Sequence, residues 1–526
     1  MDKLNSLHSI IAGIVSSTVK DVINLNEMNK SWIIVVLFRI IVNTTNLRRV
    51  IMKLHTKFSR QLCRNIELIC DFMGNSSDFV VREITAGHKH AALFYLDGMT
   101  DMQKVQDNVI RPLHDRVSSD EITLPLLKNA ILDIGEASFT QNFEDALEQI
   151  LSGGLLLLLD DMDEGLVISL PGWEERSISD SKTQPVVRGP QEAFTETLRT
   201  NTTMVRRRVK DTRVRLTAVK VGEKTKTDIS VMYLHGVADP KKVQDMISKL
   251  KNMQVEGVLE SEYLEECLHE DKQFTIFPLF YNSDRPDSIA AGIMEGKIAI
   301  FVDGSPFAIL APAVFADFLQ SAEDYYQSYV YGSIIRILRY ICLTICMLAP
   351  AIYVALTTFH QDMIPTVLLL SLSAQREGVP FPAFIEAMIM EVVFEILREA
   401  GLRMPRTVGQ AVSIVGSIVI GQAAVEANIV SAVMVIVVAI TAISSFVIPS
   451  YTFAIPIRIL RFAFIGIAAM FGVYGLTVGI LMLFVHLNGL HSFGVPYLSP
   501  FANYKSSEQR DAILRFPYKT KKQRKN

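Results

Sequence analysis

Three carboxylates stand inside an otherwise apolar stretch, Val379–Ile396: Glu386, Glu391 and Glu395. An ionised side chain at membrane depth is costly, so such residues face a bundle interior, water or an opposite charge. Glu391, Glu395 and Arg398 stand at i, i+4 and i+7, on one helical face, and Glu386 falls on another. Two chemistries fit. A ring of carboxylates from several copies would favour cations in a pore. Local pairing of Glu395 with Arg398, and of Glu399 with Arg403, would neutralise them instead. Glu386 and Glu391 have no such local cation, so the pore reading is stronger there. A second polar island, holding Gly421, Gln422, Glu426, Ala427 and Asn428, separates two apolar runs. It is either a break that brings polar groups to an ion path or a helical hairpin turn at the membrane surface.

Elsewhere the chain offers little that resembles catalysis. It holds no Gly-rich phosphate loop, no HExxH and no nucleophile elbow. The acidic group Asp160, Asp161, Asp163 and Glu164 has Gly165 where a calcium loop needs a ligand, which leaves a hairpin turn. Arg206, Arg207, Arg208, Lys210, Arg213 and Arg215 form a basic run, read as solvated or subunit-facing charge. His235 and His269 are isolated and read as structural. Five scattered cysteines make neither a zinc site nor a disulfide framework. The net charge of -3 argues against a general nucleic-acid binder. The expectation is a protein that is not an enzyme, with no cofactor and no metal.

The elements that must position the carboxylates are membrane spans. A span needs about 20 mostly apolar residues. Ile341–Phe359, Ala427–Ile457 and Phe462–Val485 carry no charge. The basic tail after His491 marks a cytoplasmic end, so both termini fall on one side and the number of spans is even. Four crossings follow, at 341–359, 379–397, 429–448 and 462–485. Arg458 and Arg461 then lie on the outer side, against the usual bias. Met363–Ser373 and Thr407–Val425 read as re-entrant or interfacial segments. Trp32–Val42 is too short and too charged at its flanks to span, and reads as a buried or interfacial helix.

The remainder contains a repeat. LFYLDGMTDMQKVQ (93–106) matches VMYLHGVADPKKVQ (231–244), each a strand, a turn at Gly98 or Gly236, then a helix. ILSGGLLLLLDDMDEGLVISL (150–170) matches IMEGKIAIFVDGSPFAIL (293–310). The fold class expected is an α/β soluble portion of two related subdomains, each a mixed sheet covered by helices, followed by an all-α polytopic membrane domain. The boundaries are an N-terminal helical arm (1–79), subdomains at 80–172 and 192–330, a linker at 173–191, a transmembrane domain at 331–488 and a basic tail at 489–526.

Several strings bear a resemblance in order along the chain: VVRGPQEAF (186–194), DRPDSIAAGIMEGKIAIFVDGSPF (284–307), REGVPFP (376–382), ILREAGLRMP (396–405), GQAAVEANIVS (421–431) and FGVPYLSP (493–500). Together they resemble the A subunit of the GerA-family spore germination receptors. The resemblance implies a place in the inner membrane of a bacterial spore, with both termini on the core side. It implies a transporter-like B subunit and a lipoprotein C subunit as partners. It also implies assembly into a homo-oligomer, a pentamer, that passes monovalent cations when a nutrient is sensed. A non-conducting scaffold or relay subunit of the same receptor is the competing expectation.

Overall fold

The computed structural model describes residues 57–115, 122–172, 181, 183–269, 275–404, 421–501 and 511–517. Trp32–Val42, 173–180 of the linker, and Thr407–Val425 as far as residue 420 lie outside them.

The first unit runs α1 (Leu62–Met73), β1 (Phe79–Ala86), β2 (Lys89–Leu96), helical stretches over 102–115 and 124–131, β3 (Ala137–Thr140), α2 (Phe143–Leu151), β4 (Gly154–Leu159) and β5 (Gly165–Ser169). The second repeats it: α3 (Leu198–Arg208), β6 (Val214–Val221), β7 (Thr227–Leu234), α4 (Pro240–Lys251), α5 (Ser261–Leu268), β8 (Tyr281–Ser283), α6 (Pro286–Met294), β9 (Ile298–Val302) and β10 (Ala308–Ala311). The strand orders are β1-β2-β4-β5-β3 and β6-β7-β9-β10-β8, the same path twice.

Each sheet is antiparallel throughout, where a mixed sheet was expected. The reason is a split crossover. β3 and β4, joined by α2, run parallel, but β5 occupies the slot between them and opposes both. Helices cover both faces of the first sheet. Leu93, Tyr95, Leu155 and Leu157 pack on one side, and Phe94, Leu96, Leu156 and Leu158 on the other. That is why β2 and β4 read as unbroken apolar runs rather than alternating ones.

The repeat also includes a helix that the sequence reading left in the N-terminal arm. Asn65 in α1 accepts from the Ser59 amide and donates to the Ser59 carbonyl. Asn201 in α3 does the same with Thr195. Asp160 and Asp303 then accept from the first amides of α1 and α3, Leu62 and Leu198, each at 3.1 Å. The acidic turn is therefore a hairpin whose aspartate satisfies an otherwise orphaned helix N–H. Asp101 and Asp239 are paired in the same way, each capping the helix after the Gly98 or Gly236 turn.

The two units are joined by Arg206, which is buried. Its guanidinium reaches both oxygens of Asp78, at 2.8 and 2.9 Å, and the Ser76 hydroxyl at 3.0 Å. Ser76 in turn accepts from the Leu216 amide on β6. Part of the basic run is thus an internal tie: Arg215 also donates across the join, to the Phe72 carbonyl.

The C-terminal helices follow: α7 (Tyr329–Thr358), α8 (Thr366–Arg376), α9 (Ala383–Arg403), α10 (Ala432–Phe446) and α11 (Tyr451–Gly489). Among the described residues, α7 and α11 are long and apolar enough to cross a membrane, and α10 is a shorter apolar helix. α11 is not one span. Gly472 has φ 60° and ψ −147°, and the helix breaks there. A Cβ built on Gly479 would lie 2.9 Å from the Phe464 ring. In a straight helix those positions are about 22 Å apart. The two legs fold back on each other, so the expected crossing at 462–485 is a hairpin. Glycine is required at its tip: the φ is left-handed, and a Cβ would sit 2.8 Å from the His360 ring.

Both ends of this hairpin return to the second sheet. Phe453 from the first leg meets Phe315 and Phe318 at 5.4 Å and Phe277 at 6.1 Å. His486 from the second leg meets Phe277 and accepts or donates at Thr275. α7 is fixed to the same side, where Asp324 takes Arg336 at 2.9 Å and Arg339 at 2.7 Å, all three buried.

Removing Arg206 leaves Asp78 largely buried without its cation. Arg206→Ala is expected to cost about 3–5 kcal/mol, and Asp78→Ala added to it to cost far less than a second independent loss. Chemical denaturation of the four members of this mutant cycle checks the coupling.

Candidate functional site

The six residues singled out in the sequence occupy three places in the bundle. The first is the end where α9 and α10 begin. Glu386 is fully buried, and its Oε1 accepts from the Ser431 amide at 2.6 Å and from the Ser431 hydroxyl. Ser431 is the N-cap of α10, its hydroxyl also accepting from the Met434 amide. Glu386 thus places a carboxylate at a helix N-terminus, where the partial positive charge of the helix favours it. Arg376 of α8 approaches its other oxygen at 3.7 Å.

The second place is deeper along α9. Glu391 and Arg461 are both wholly buried, with Oε2 and Nη2 at 3.0 Å, an ion pair that lacks a hydrogen bond's alignment. The same Nη2 donates to Glu395 Oε1 at 3.0 Å. Arg458 donates to Glu395 Oε2 at 3.0 Å, and Arg398 to Oε1 at 3.4 Å. Arg398 also donates to Ser445 at 2.7 Å, tying α9 to the end of α10, and stacks over Phe394 and Phe446. Three guanidiniums therefore surround two carboxylates.

The third place is the exposed turn before α10. Gln422 donates to Glu426 at 2.8 Å, and both side chains are exposed. Asn428 takes φ 55°, a conformation that asparagine tolerates, just after the helical stretch over 421–426. Its side chain lies against Gly378.

The structure thus changes the electrostatic account. Glu386 and Glu391 do have cations, but on α8 and α11 rather than on their own helix. Glu395 pairs with Arg398, and Glu399 with Arg403 at 2.6 Å, as the local reading had it. Arg458 and Arg461 are not flank residues on an outer surface; they face the bundle interior and neutralise α9. Their misplacement on the span count was the signal that could have revealed this. Ser431 and Ser445 carried no signal of their own.

Among the described residues no group of three or more His, Cys, Asp or Glu is placed to hold a metal. Two features of the α/β units are of chemical interest. A cleft of about 340 Å³ opens between them, lined by Thr100, Asp101, Thr197, Arg199 and Thr203, with polar groups suited to a small hydrophilic molecule. On α5, burial pushes the Glu265 carboxyl well above the usual range, with Glu262 adding repulsion.

Comparison with known proteins adds a family to this geometry. The model described as "Bacillus/Clostridium GerA spore germination protein" matches residues 67–526. Spore germination protein KA of Bacillus subtilis (strain 168) is 46% identical over 464 residues, covering 88% of this chain and 85% of that protein. Spore germination protein GerLA of Bacillus cereus is 36% identical over 452 residues, covering 85% and 92%. An uncharacterized membrane protein of Bacillus subtilis (strain 168), YfkQ, is 41% identical over 467 residues, covering 88% and 90%. The crystal structure of the N-terminal domain of the A subunit of the Bacillus megaterium spore germinant receptor GerK3 is 37% identical, with a TM-score of 0.40, covering 50% of this chain and 98% of that one.

The interior pair makes a sharp prediction. Arg461→Met strands Glu391 without a cation, at a cost of about 3–5 kcal/mol, and membrane accumulation should collapse. Adding Glu391→Leu should restore part of it. Quantitative immunoblotting of the membrane fraction reads this, and equal loss in the single and double variants would remove the pair from the bundle's stability.

Proposed function

The chain belongs to the GerA family of spore germination proteins, and on that premise we propose that it is the A subunit of a nutrient-responsive germinant receptor which assembles with further copies of itself into a gated channel for monovalent cations. Its setting is the inner membrane of a bacterial spore, with a transporter-like B subunit and a lipoprotein C subunit as partners and a pentamer as the assembly. Both α7's start and α11's end lie against the second α/β unit, which supports termini on one side, the spore core. The hairpin at Gly472 turns the expected crossing at 462–485 into two legs whose outer ends both return to the second α/β unit.

The observation that carries the channel reading is the exposed polar turn. Gln422, Glu426 and Asn428 are exposed at the start of α10, with Glu426 held by Gln422. At this end of the bundle an outward carboxylate needs water, protein or headgroups beside it rather than lipid tails. A lumen between copies supplies that water, and a ring of Glu426 carboxylates would draw cations into it. Glu386, Glu391 and Glu395 then act one step back, holding α9, α10 and α11 in register behind the lining. They belong to the ion path as its supporting wall.

A second reading has an observation of its own. All four carboxylates of α9, Glu386, Glu391, Glu395 and Glu399, are engaged by cations of the same chain, which fits a non-conducting scaffold or relay subunit of the receptor. The α/β units would then be its interaction module.

Glu426→Gln combined with Gln422→Ala is expected to slow monovalent cation release from spores several-fold after germinant addition, with normal accumulation of the protein. Flame photometry of the medium measures it. Unchanged release would take the turn out of the ion path, and reconstituted assemblies that never conduct would favour the scaffold.

A further inference from the structure

We propose that the α11 hairpin holds one acyl chain of a membrane phospholipid in an apolar groove between its two legs, an inference that rests on the membrane reading of the helical half. The groove has a volume of about 360 Å³, within the range of pockets that take small ligands. Leu460, Ala463 and Ile467 line it from the first leg, and Met482 and Leu483 from the second. Phe277 of the second α/β unit, itself buried, lines it from outside the hairpin.

The groove has two unlike ends. At Gly479 the legs meet: a Cβ there would stand 2.9 Å from the Phe464 ring and 3.5 Å from the Ile467 side chain. At the base the Phe277 ring lies 6.3 Å from His486. That basal end alone offers hydrogen-bonding side chains, where the Thr275 hydroxyl and a His486 ring nitrogen share a bond at 3.1 Å. From His486 to Gly479, about 10 Å along the leg, the lining is apolar. A phospholipid tail has the same order, with its ester and headgroup at the surface and methylenes below. The base of the hairpin packs on the second α/β unit, so the polar end lies on the side where the bundle leaves the membrane. A chain from the leaflet next to the α/β units enters in that direction.

The mouth supplies the second argument. Val478, Leu481, Met482 and Val485 stand at i, i+3, i+4 and i+7, on one face of the second leg, and each is more than half exposed. Met482 also lines the groove, so the mouth opens on that face. An exposed apolar face on a hairpin within the bilayer is covered by tails, and the groove is continuous with it. A tail in the groove touches both legs and Phe277 together, which brings lipid to bear on the join between the hairpin and the second α/β unit.

The test uses the full chain in phosphatidylcholine nanodiscs, with part of the lipid carrying a diazirine midway along one acyl chain. After illumination, peptide mass spectrometry locates the adducts. They are expected at Ile467 and Leu483 in the groove as well as at Val478 and Val485 on the outer face. Ala463→Phe fills the groove and displaces at least about two methylenes of the tail, so the adducts at Ile467 and Leu483 should fall about tenfold, while those at Val478 and Val485 persist. Ile276→Trp, placed at the groove but outside the helices, should act in the same way and supplies the comparison if Ala463→Phe fails to accumulate. Groove adducts that are equal in wild type and variants overturn the lipid site. So does a Leu483 without adducts beside a labelled Val485, the pattern of a groove covered by protein, a second copy included. Adducts absent from Val485 as well overturn the membrane reading instead, so the two failures are told apart.

Discussion

A guanidinium without access to solvent, Arg461, sets the terms for the helical half of this protein. It sits on the first leg of α11 and faces two carboxylates of α9, at 3.0 Å each. A charge buried there is tolerable only while its partners stay in place. The helices must therefore keep their register: α9 must offer Glu391 and Glu395 four residues apart, and α11 must turn at Gly472 so that its second leg packs behind the first. Arg398 extends the constraint to α10 through Ser445, and Glu386 closes the other end through Ser431. The two contacts place α9 and α10 side by side in the same direction. Ionic cross-ties thus fix a bundle whose apolar surfaces alone would permit sliding.

The same logic runs through the join to the α/β half. Asp324 takes two buried arginines from α7, and the aromatic cluster of Phe277, Phe315, Phe318, Phe453 and Tyr497 packs the hairpin's base onto the second sheet. Arg206 then ties the second unit to the first. A displacement of the α/β units relative to each other would be transmitted to α7 and α11 through packed, hydrogen-bonded contacts rather than through a loose linker.

Much of the fold was legible in the sequence, and the misses have physical causes. The repeat was visible because its turns need glycine, at Gly98 and Gly236, and its helices need an aspartate cap, at Asp101 and Asp239. Strand direction was not, because a helix between two strands makes them parallel without saying which strand fills the gap between them. The helix α1 escaped notice because only Asn65 and its turn match α3, while the packing residues differ. Hydropathy saw Phe462–Val485 as one span because a glycine turn inside an apolar run changes no charge. In the candidate site, the residue types were legible and the partners were not. Glu386 and Glu391 looked unpaired because their cations come from helices distant in sequence, and the distinction between buried Glu391 and exposed Glu426 exists only in three dimensions.

The central claim is that the ion path runs between copies along the 422–428 turn, with Glu386 and Glu391 sealed inside each subunit. Cysteine accessibility in the conducting assembly tests it most directly. In a background with the native cysteines replaced, Glu426→Cys and Glu391→Cys are exposed in turn to a charged, membrane-impermeant thiol reagent while cation flux is recorded. The account predicts that the thiol at 426 reacts and changes the flux, and that the thiol at 391 stays unmodified. Rapid modification at 391 with none at 426 would contradict it.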